Sequence, residues 1–248
     1  MEFWGITDSG KVRKHNQDFY KVQSNEDNTI AVLVVCDGMG GANAGNVASE
    51  LAAEAFMKNM SCLIESKEDL GSQNDIAAVL TDAVLAANTV VFDKSLQDEE
   101  FAGMGTTLTA AVSTGDGEVV ANIGDSRLYH VTEKEITQIT RDHSVVEDMI
   151  ERGEITRKEA RRHPSRNLIT RALGTSFYEP PDIFFLNLNS GDFILLCSDG
   201  LSNVVLDKEI QVELRRGKTV RESCEILVDL ALERGAPDNV TAVVLKKQ

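Results

Sequence analysis

The chain has 248 residues, 42% of them hydrophobic, and a formal charge of −15 at pH 7. That length can bury a large core. The acidity argues against a protein that grips a nucleic-acid backbone, which needs a basic stripe to displace counterions. Cysteines 36, 62, 197 and 224 form no Cys-x-x-Cys pair and no cluster with histidine. A structural zinc site is therefore not expected, and the thiols fit core filling in a reducing compartment.

The first residues, Met-Glu-Phe-Trp-Gly-Ile, lack the basic-then-apolar grammar of a leader, and no apolar run is expected to cross a bilayer. With no linker, low-complexity tract or repeat, the expectation is one domain over 1–248, cytoplasmic and monomeric.

Phe3 to Asp8 predicts a short strand, followed by a turn at Ser9-Gly10-Lys11. The loop Val12 to Asp18 is crowded with side chains that bind anions or cations. Ile30 to Gly41 is an unbroken apolar run ending in Asp37 and a glycine cluster. It reads as a strand buried on both faces that delivers one carboxylate to its exposed end. Asp37 either caps that turn or binds a cation together with the Gly38 carbonyl, an oxygen pair suited to Mg²⁺ or Mn²⁺.

Two stretches with helical apolar spacing come next, Val47 to Phe56 and Ile76 to Val91, each predicted to lay one stripe on a sheet. From Gly105 the texture changes to strand, hairpin turn and strand, with a further turn at Gly124-Asp125-Ser126 and a strand over Arg127 to Val131. Ser144-x-x-Glu147 and Thr156-x-x-Glu159 have capping-box form and predict two short helices. They fall within Val145 to Leu173, a basic, polar segment read as a mobile flap. Strands over Asp182 to Leu188, Asp192 to Cys197 and Asn239 to Leu245, with a helix capped by Thr219, complete the chain. Locally paired strands with long helices between them predict an α+β fold with two antiparallel sheets and helices outside.

Four predicted strand ends carry an aspartate beside a small or polar residue: Asp37, Asp125, Asp199 and Asp238. Side by side, they would form an acidic cluster whose repulsion a divalent cation relieves. Two ions bridged by a shared carboxylate acidify a water into a nucleophile and neutralise an attacked phosphate.

Arg13-x-x-Asn16-Gln17-Asp18, Asp37-Gly38-Met39-Gly40-Gly41, Gly105-Thr106-Thr107, Gly124-Asp125-Ser126-Arg127, Asp142-His143-Ser144, Ser198-Asp199-Gly200-Leu201 and Asp238-Asn239-Val240-Thr241 stand in this order. The set resembles the motifs of metal-dependent serine/threonine protein phosphatases of type 2C, over nearly the whole chain. The resemblance implies a four-layer α-β-β-α sandwich with its metal centre at one edge. It also implies hydrolysis of phosphoserine and phosphothreonine in proteins by a metal-bridging hydroxide, opposing a serine/threonine kinase.

By matching position, Asp37 would bridge two Mn²⁺ or Mg²⁺ ions and Gly38 would bind one through its carbonyl. Asp199 and Asp238 would complete the other ion's shell, and Asp18 would act through water. Asp125 with Asp199 would hold a third, weaker ion. Arg13 matches the phosphate-binding arginine, against the plainer reading of a salt bridge.

Gln17 replaces a common glutamate, and Met39 replaces a histidine proposed as general acid in many eukaryotic members. A thioether cannot donate a proton, which leaves metal-bound water or His143, for which a local capping contact is the plainer expectation. Met39, the compact length and the basic flap resemble the bacterial branch. Rival readings are a catalytically silent metal- or phosphoprotein-binding module of the same fold, and a metal-dependent nuclease, which the acidity disfavours.

Overall fold

A computed structural model describes residues 1–40, 44–66, 71–97 and 99–248. Gly41, the last glycine of the Asp37 motif, lies outside the described residues. The strands are β1 (Glu2–Asp8), β2 (Asp18–Ser24), β3 (Ala31–Met39), β4 (Gly105–Thr106), β5 (Leu108–Thr114), β6 (Gly117–Ile123), β7 (Arg127–Val131), β8 (Ile136–Gln138), β9 (Asp182–Leu186), β10 (Phe193–Cys197) and β11 (Val240–Lys246). The helices are α1 (Ala44–Glu65), α2 (Gln73–Gln97), α3 (Val145–Glu151), α4 (Arg157–Ala160), α5 (Asp199–Ser202), α6 (Asp207–Arg216) and α7 (Val220–Glu233).

Two sheets form, with orders β1-β11-β10-β7-β8 and β2-β3-β5-β6-β9, and β4 pairs with β3. Every strand pairing is antiparallel, including β2 on β3, β5 on β6 and β10 on β11. Strand parity then sorts the apolar side chains, because successive residues point to opposite faces. In β3, Ala31, Leu33 and Val35 enter a layer between the sheets with Leu196, Val243 and Leu245. Val32, Val34 and Cys36 face the other way and pack with Ala52, Phe56 and Leu80 of α1 and α2. On the far sheet, Leu195, Cys197 and Val244 meet Ile210, Leu214, Leu227 and Val228 of α6 and α7. Three apolar layers thus separate helices, sheet, sheet and helices, the predicted four-layer sandwich.

Three findings differ from expectation. Helix α6 was not expected: its N-cap is Leu206, which has no side-chain acceptor, so the usual start signal is missing. Only half a capping box is present, with the Glu209 carboxylate accepting from the Leu206 backbone N–H at 2.9 Å. The flap's far end is core rather than surface, since Ala172 and Leu173 are buried and Leu173 bridges to Thr106. Finally, α2 is long and apolar enough to cross a membrane by length and composition. Its apolarity serves packing: Ile76, Leu80, Ala83, Val84, Ala87 and Val91 are buried in the core.

Candidate metal centre

The layer between the sheets is apolar along most of its length and turns polar at one edge. Parity carries the change: continuing the inward series of β3 leads to Asp37, that of β5 to Thr109 and Thr107, and that of β10 to Ser198. Asp18 on β2 stands directly opposite Asp37 in the strand register. Two carboxylates on one face at opposed positions repel each other, so this end of the layer favours a cation.

The strands hold these aspartates by backbone. The Thr107 hydroxyl accepts from the Asp37 N–H at 2.9 Å, while the Thr107 N–H and the Thr106 hydroxyl donate to the Asp37 carbonyl at 2.9 and 3.0 Å. Thr107 and Ser126 share a hydroxyl contact of 2.8 Å, which ties the Asp125 turn to the same strand. The paired threonines of Gly105-Thr106-Thr107 are therefore a clamp on the Asp37 strand.

Asp18 is buried, and its Oδ2 accepts from the hydroxyls of Ser198 at 2.6 Å and Thr241 at 2.7 Å. Asn239 binds the N-terminal loop, accepting from the Gln17 N–H at 2.8 Å and donating to the carbonyls of Ser9 and His15. The first and last motifs of the chain are thus one hydrogen-bonded unit. Gly38 has a separate reason to be glycine: a Cβ there would lie 1.9 Å from the Gly45 carbonyl oxygen. The N-terminus of α1 passes directly over this turn.

Asp37, Gly38, Asp125, Asp199, Asp238 and Arg13 line a single cavity of about 220 Å³, as the sequence predicts. Asp18 does not line it and stands beside Asp37 on the neighbouring strand. Asp199 opens α5 immediately after β10, and Asp238 immediately precedes β11. Among the described residues, no three histidine, cysteine, aspartate or glutamate side chains are closed on one point as a finished ion cage. The carboxylates surround a shared space.

Whether a divalent ion suits that space is decided by the oxygens that lack protein partners. Asp18 Oδ1 and Asp199 Oδ1 are buried and accept no hydrogen bond from the protein, a costly state for a carboxylate unless something else binds it. Burial first, and then the neighbouring aspartates, hold Asp37 well above the usual carboxylate range, and Asp125 likewise. Burial and Asp238 push Asp199 up to about 6, and burial lifts Asp18 to about 7 against the two hydroxyls that lower it. An all-oxygen set under mutual repulsion fits Mg²⁺ or Mn²⁺.

Arg13 forms the salt bridge that was its plainer reading: Nη2 donates to Asp238 Oδ2 at 2.8 Å. The ion pair is itself on the cavity wall, and the Arg13 side chain is 53% exposed. His143 does not face the cavity and is no cap for α3, whose cap is Ser144. Its Nδ1 accepts from the Gly124 N–H at 3.0 Å, and its Nε2 lies 3.1 Å from Asp182 Oδ2. It secures the turn that presents Asp125. Met39 lines the cavity, and no histidine, cysteine, lysine or tyrosine does so among the described residues.

Arg127 is a residue whose part the motif reading left unassigned. Its guanidinium donates to both oxygens of Asp142, at 2.6 to 3.1 Å, and to the Tyr129 hydroxyl at 3.0 Å. From there its charge lowers the carboxyl groups of Asp125 and Asp199 against burial. The signal was in view, since Arg127 ends the Gly-Asp-Ser-Arg motif and Asp142 opens the next.

Fold and site together define the class: an α-β-β-α sandwich with an aspartate-lined cavity at one edge of its sheets. Residues 10–233 match the family model of Protein phosphatase 2C. The chain is 35% identical over 245 residues to the serine/threonine phosphatase stp of Listeria monocytogenes serotype 4b, covering 97% of this chain and 94% of that protein. It is 39% identical over 244 residues to the serine/threonine protein phosphatase PstP of Mycobacterium tuberculosis, covering 98% of this chain and 44% of that longer protein. The crystal structure of the PstP catalytic domain with two manganese ions matches with a TM-score of 0.82 at 38% identity, covering 98% of this chain and 96% of that one. The chain belongs to the protein phosphatase 2C family.

Proposed function

We propose that the chain hydrolyses phosphoserine and phosphothreonine in proteins, using divalent ions held by Asp37, the Gly38 carbonyl, Asp199 and Asp238. The observation that carries this reading is the cavity itself, where buried, mutually repelling carboxylates stand beside an arginine fork. Asp37 would hold both ions, Asp18 would act through water, and Asp125 with Asp199 would hold a third, weaker ion. Mn²⁺ and Mg²⁺ both suit the donor set. When bound, such ions acidify a water and neutralise phosphoryl charge.

The protein's own contribution is positioning. Arg13 swings between Asp238 and two phosphate oxygens, to which its planar fork is matched. The Thr106-Thr107 clamp and the His143 bond to Gly124 keep Asp37 and Asp125 in place. Because no imidazole or thiol lines the cavity among the described residues, the leaving serine or threonine oxygen takes its proton from water. The segment from Val145 to Arg171, short of the buried Ala172 and Leu173, is a flap over the site that selects among phosphoproteins, the targets of an opposing serine/threonine kinase. Residues 1–248 act as one catalytic domain, in the cytoplasm and as a monomer.

Replacing Asp199 or Asp238 with Asn tests the reading. Mn²⁺-dependent hydrolysis of a phosphothreonine peptide should fall on the order of 100-fold or more. Unchanged turnover in both variants contradicts it. The alternative of a silent binding module requires metal binding without turnover on any phosphopeptide.

A further inference from the structure

Beside the metal cavity, and sharing Arg13, Asp199 and Asp238 with it, lies a second cavity of about 210 Å³. Its remaining charged walls are Arg127, Arg161 and Arg166. Arg127 is committed to Asp142, and Arg13 to Asp238. The two flap arginines are far less satisfied. Arg161 is 3.9 Å from Asp207 with its side chain 48% exposed. Among the described residues Arg166 donates to neutral oxygens, Asn167 Oδ1 at 3.3 Å and the Arg161 carbonyl at 3.4 Å. Arg162 lines neither cavity.

Such a cluster is conspicuous in a chain of charge −15. Two guanidinium forks in a cleft, one with a single long carboxylate contact at 3.9 Å and the other bonded to neutral oxygens, attract an oxyanion and can bind it through paired N–H donors. The shared wall places that anion next to the group bound by Arg13. In an extended peptide, side chains two residues apart lie on the same side, about 7 Å from each other, so one substrate can reach both cavities.

We propose that the Arg161–Arg166 cavity is a second anion subsite, which takes an oxyanion side chain of the same phosphopeptide near the scissile phosphoresidue. Preferred substrates then carry a second phosphoresidue, or an aspartate or glutamate, close to the first. This rests on the phosphoprotein reading above, in that the first anion is the scissile phosphate.

The test separates the two ideas by measuring binding and turnover independently. Peptides carrying one or two non-hydrolysable phosphonate side chains, spaced one to four residues apart, are titrated against the Mn²⁺-loaded protein. At the favoured spacing the second phosphonate should tighten binding about tenfold, as one charge-assisted contact does. A glutamate in its place should give a smaller gain. Arg161→Ala with Arg166→Ala should abolish the gain, and the Lys pair should restore part of it. The rate on p-nitrophenyl phosphate should stay unchanged in both, showing an intact fold.

Equal affinity of one- and two-phosphonate peptides at every spacing overturns the subsite, as does a gain that persists in the double alanine variant. Inorganic phosphate bound through these arginines, with no gain for the doubly charged peptide, would make free phosphate the occupant and also overturns it. Should the analogues bind as described while no phosphopeptide is hydrolysed, the subsite stands and the phosphatase reading falls.

Discussion

At the scale of single residues, the site depends on groups that never touch a ligand. His143 is the clearest case: burial holds its imidazole below the usual range, so the ring is neutral and its Nδ1 is free to accept from Gly124. His143→Ala leaves a buried N–H without a partner, which costs about 1–3 kcal/mol. Urea denaturation should show that loss, and His143→Asn, whose Oδ1 can replace Nδ1, should recover most of it. Equal losses in both variants would mean that the contact to Gly124 is not what matters. Pattern reading assigned His143 a local job of the wrong kind. Its partners, Gly124 and Asp182, are 19 and 39 residues away along the chain, and no local spacing rule reaches that far.

At the scale of elements, legibility followed the strength of local signals. The buried strand β3 and the helices α1 and α2 were plain from apolar spacing, and the N-caps of α3, α4 and α7 from Ser144, Thr156 and Thr219. Helix α6 was not, because Leu206 occupies its cap and its first turn is secured from a distance. The Glu209 carboxylate accepts from Arg234 at 2.7 and 2.8 Å, and Arg234 also donates to the Val204 carbonyl at 2.8 Å.

Hydrogen bonds from Arg234 and from the Leu206 backbone hold the Glu209 carboxyl down at about 2, below its ordinary 4.5. A depressed carboxylate stabilises the fold fully above its unfolded value, and the contribution disappears as pH falls toward the folded one. Glu209→Gln should therefore lower stability at pH 7 by at most about 1 kcal/mol, the pair being part-exposed. The difference from the unsubstituted protein should shrink from pH 5 downward and vanish near pH 2. A gap independent of pH across that range in thermal melts would assign the effect to something other than the ion pair.

At the scale of the whole molecule, the central fact is that one interlayer is apolar at one end and acidic at the other. Four aspartates at strand ends were legible as a grammar, and the order of the motifs identified the family. What no pattern could show is that Asp18 opposes Asp37 in register, that Ser198 and Thr241 hold Asp18 from the other sheet, or that Arg13 pairs with Asp238. The first is set by strand pairing within one sheet, the second needs the two sheets stacked, and the last joins residues 225 apart in the chain.

A fold built around mutually repelling carboxylates should also be steadied by the cation that relieves them. Ligand bound only by the native state at 100 times its dissociation constant adds about 2.7 kcal/mol. Mn²⁺ should raise the melting temperature, and a chelator should reverse the rise. A melting temperature indifferent to both would mean that the acidic end is stable without a cation.

The most direct measurement is Mn²⁺ stoichiometry by calorimetry and electron paramagnetic resonance, for the unaltered protein and for Asp37→Asn. If Asp37 is shared by paired ions, the unaltered protein binds at least two ions per chain with magnetic coupling between them, and Asp37→Asn loses the coupling together with most of the affinity. Two uncoupled ions, or an Asp37→Asn protein that binds as the original does, would contradict the account.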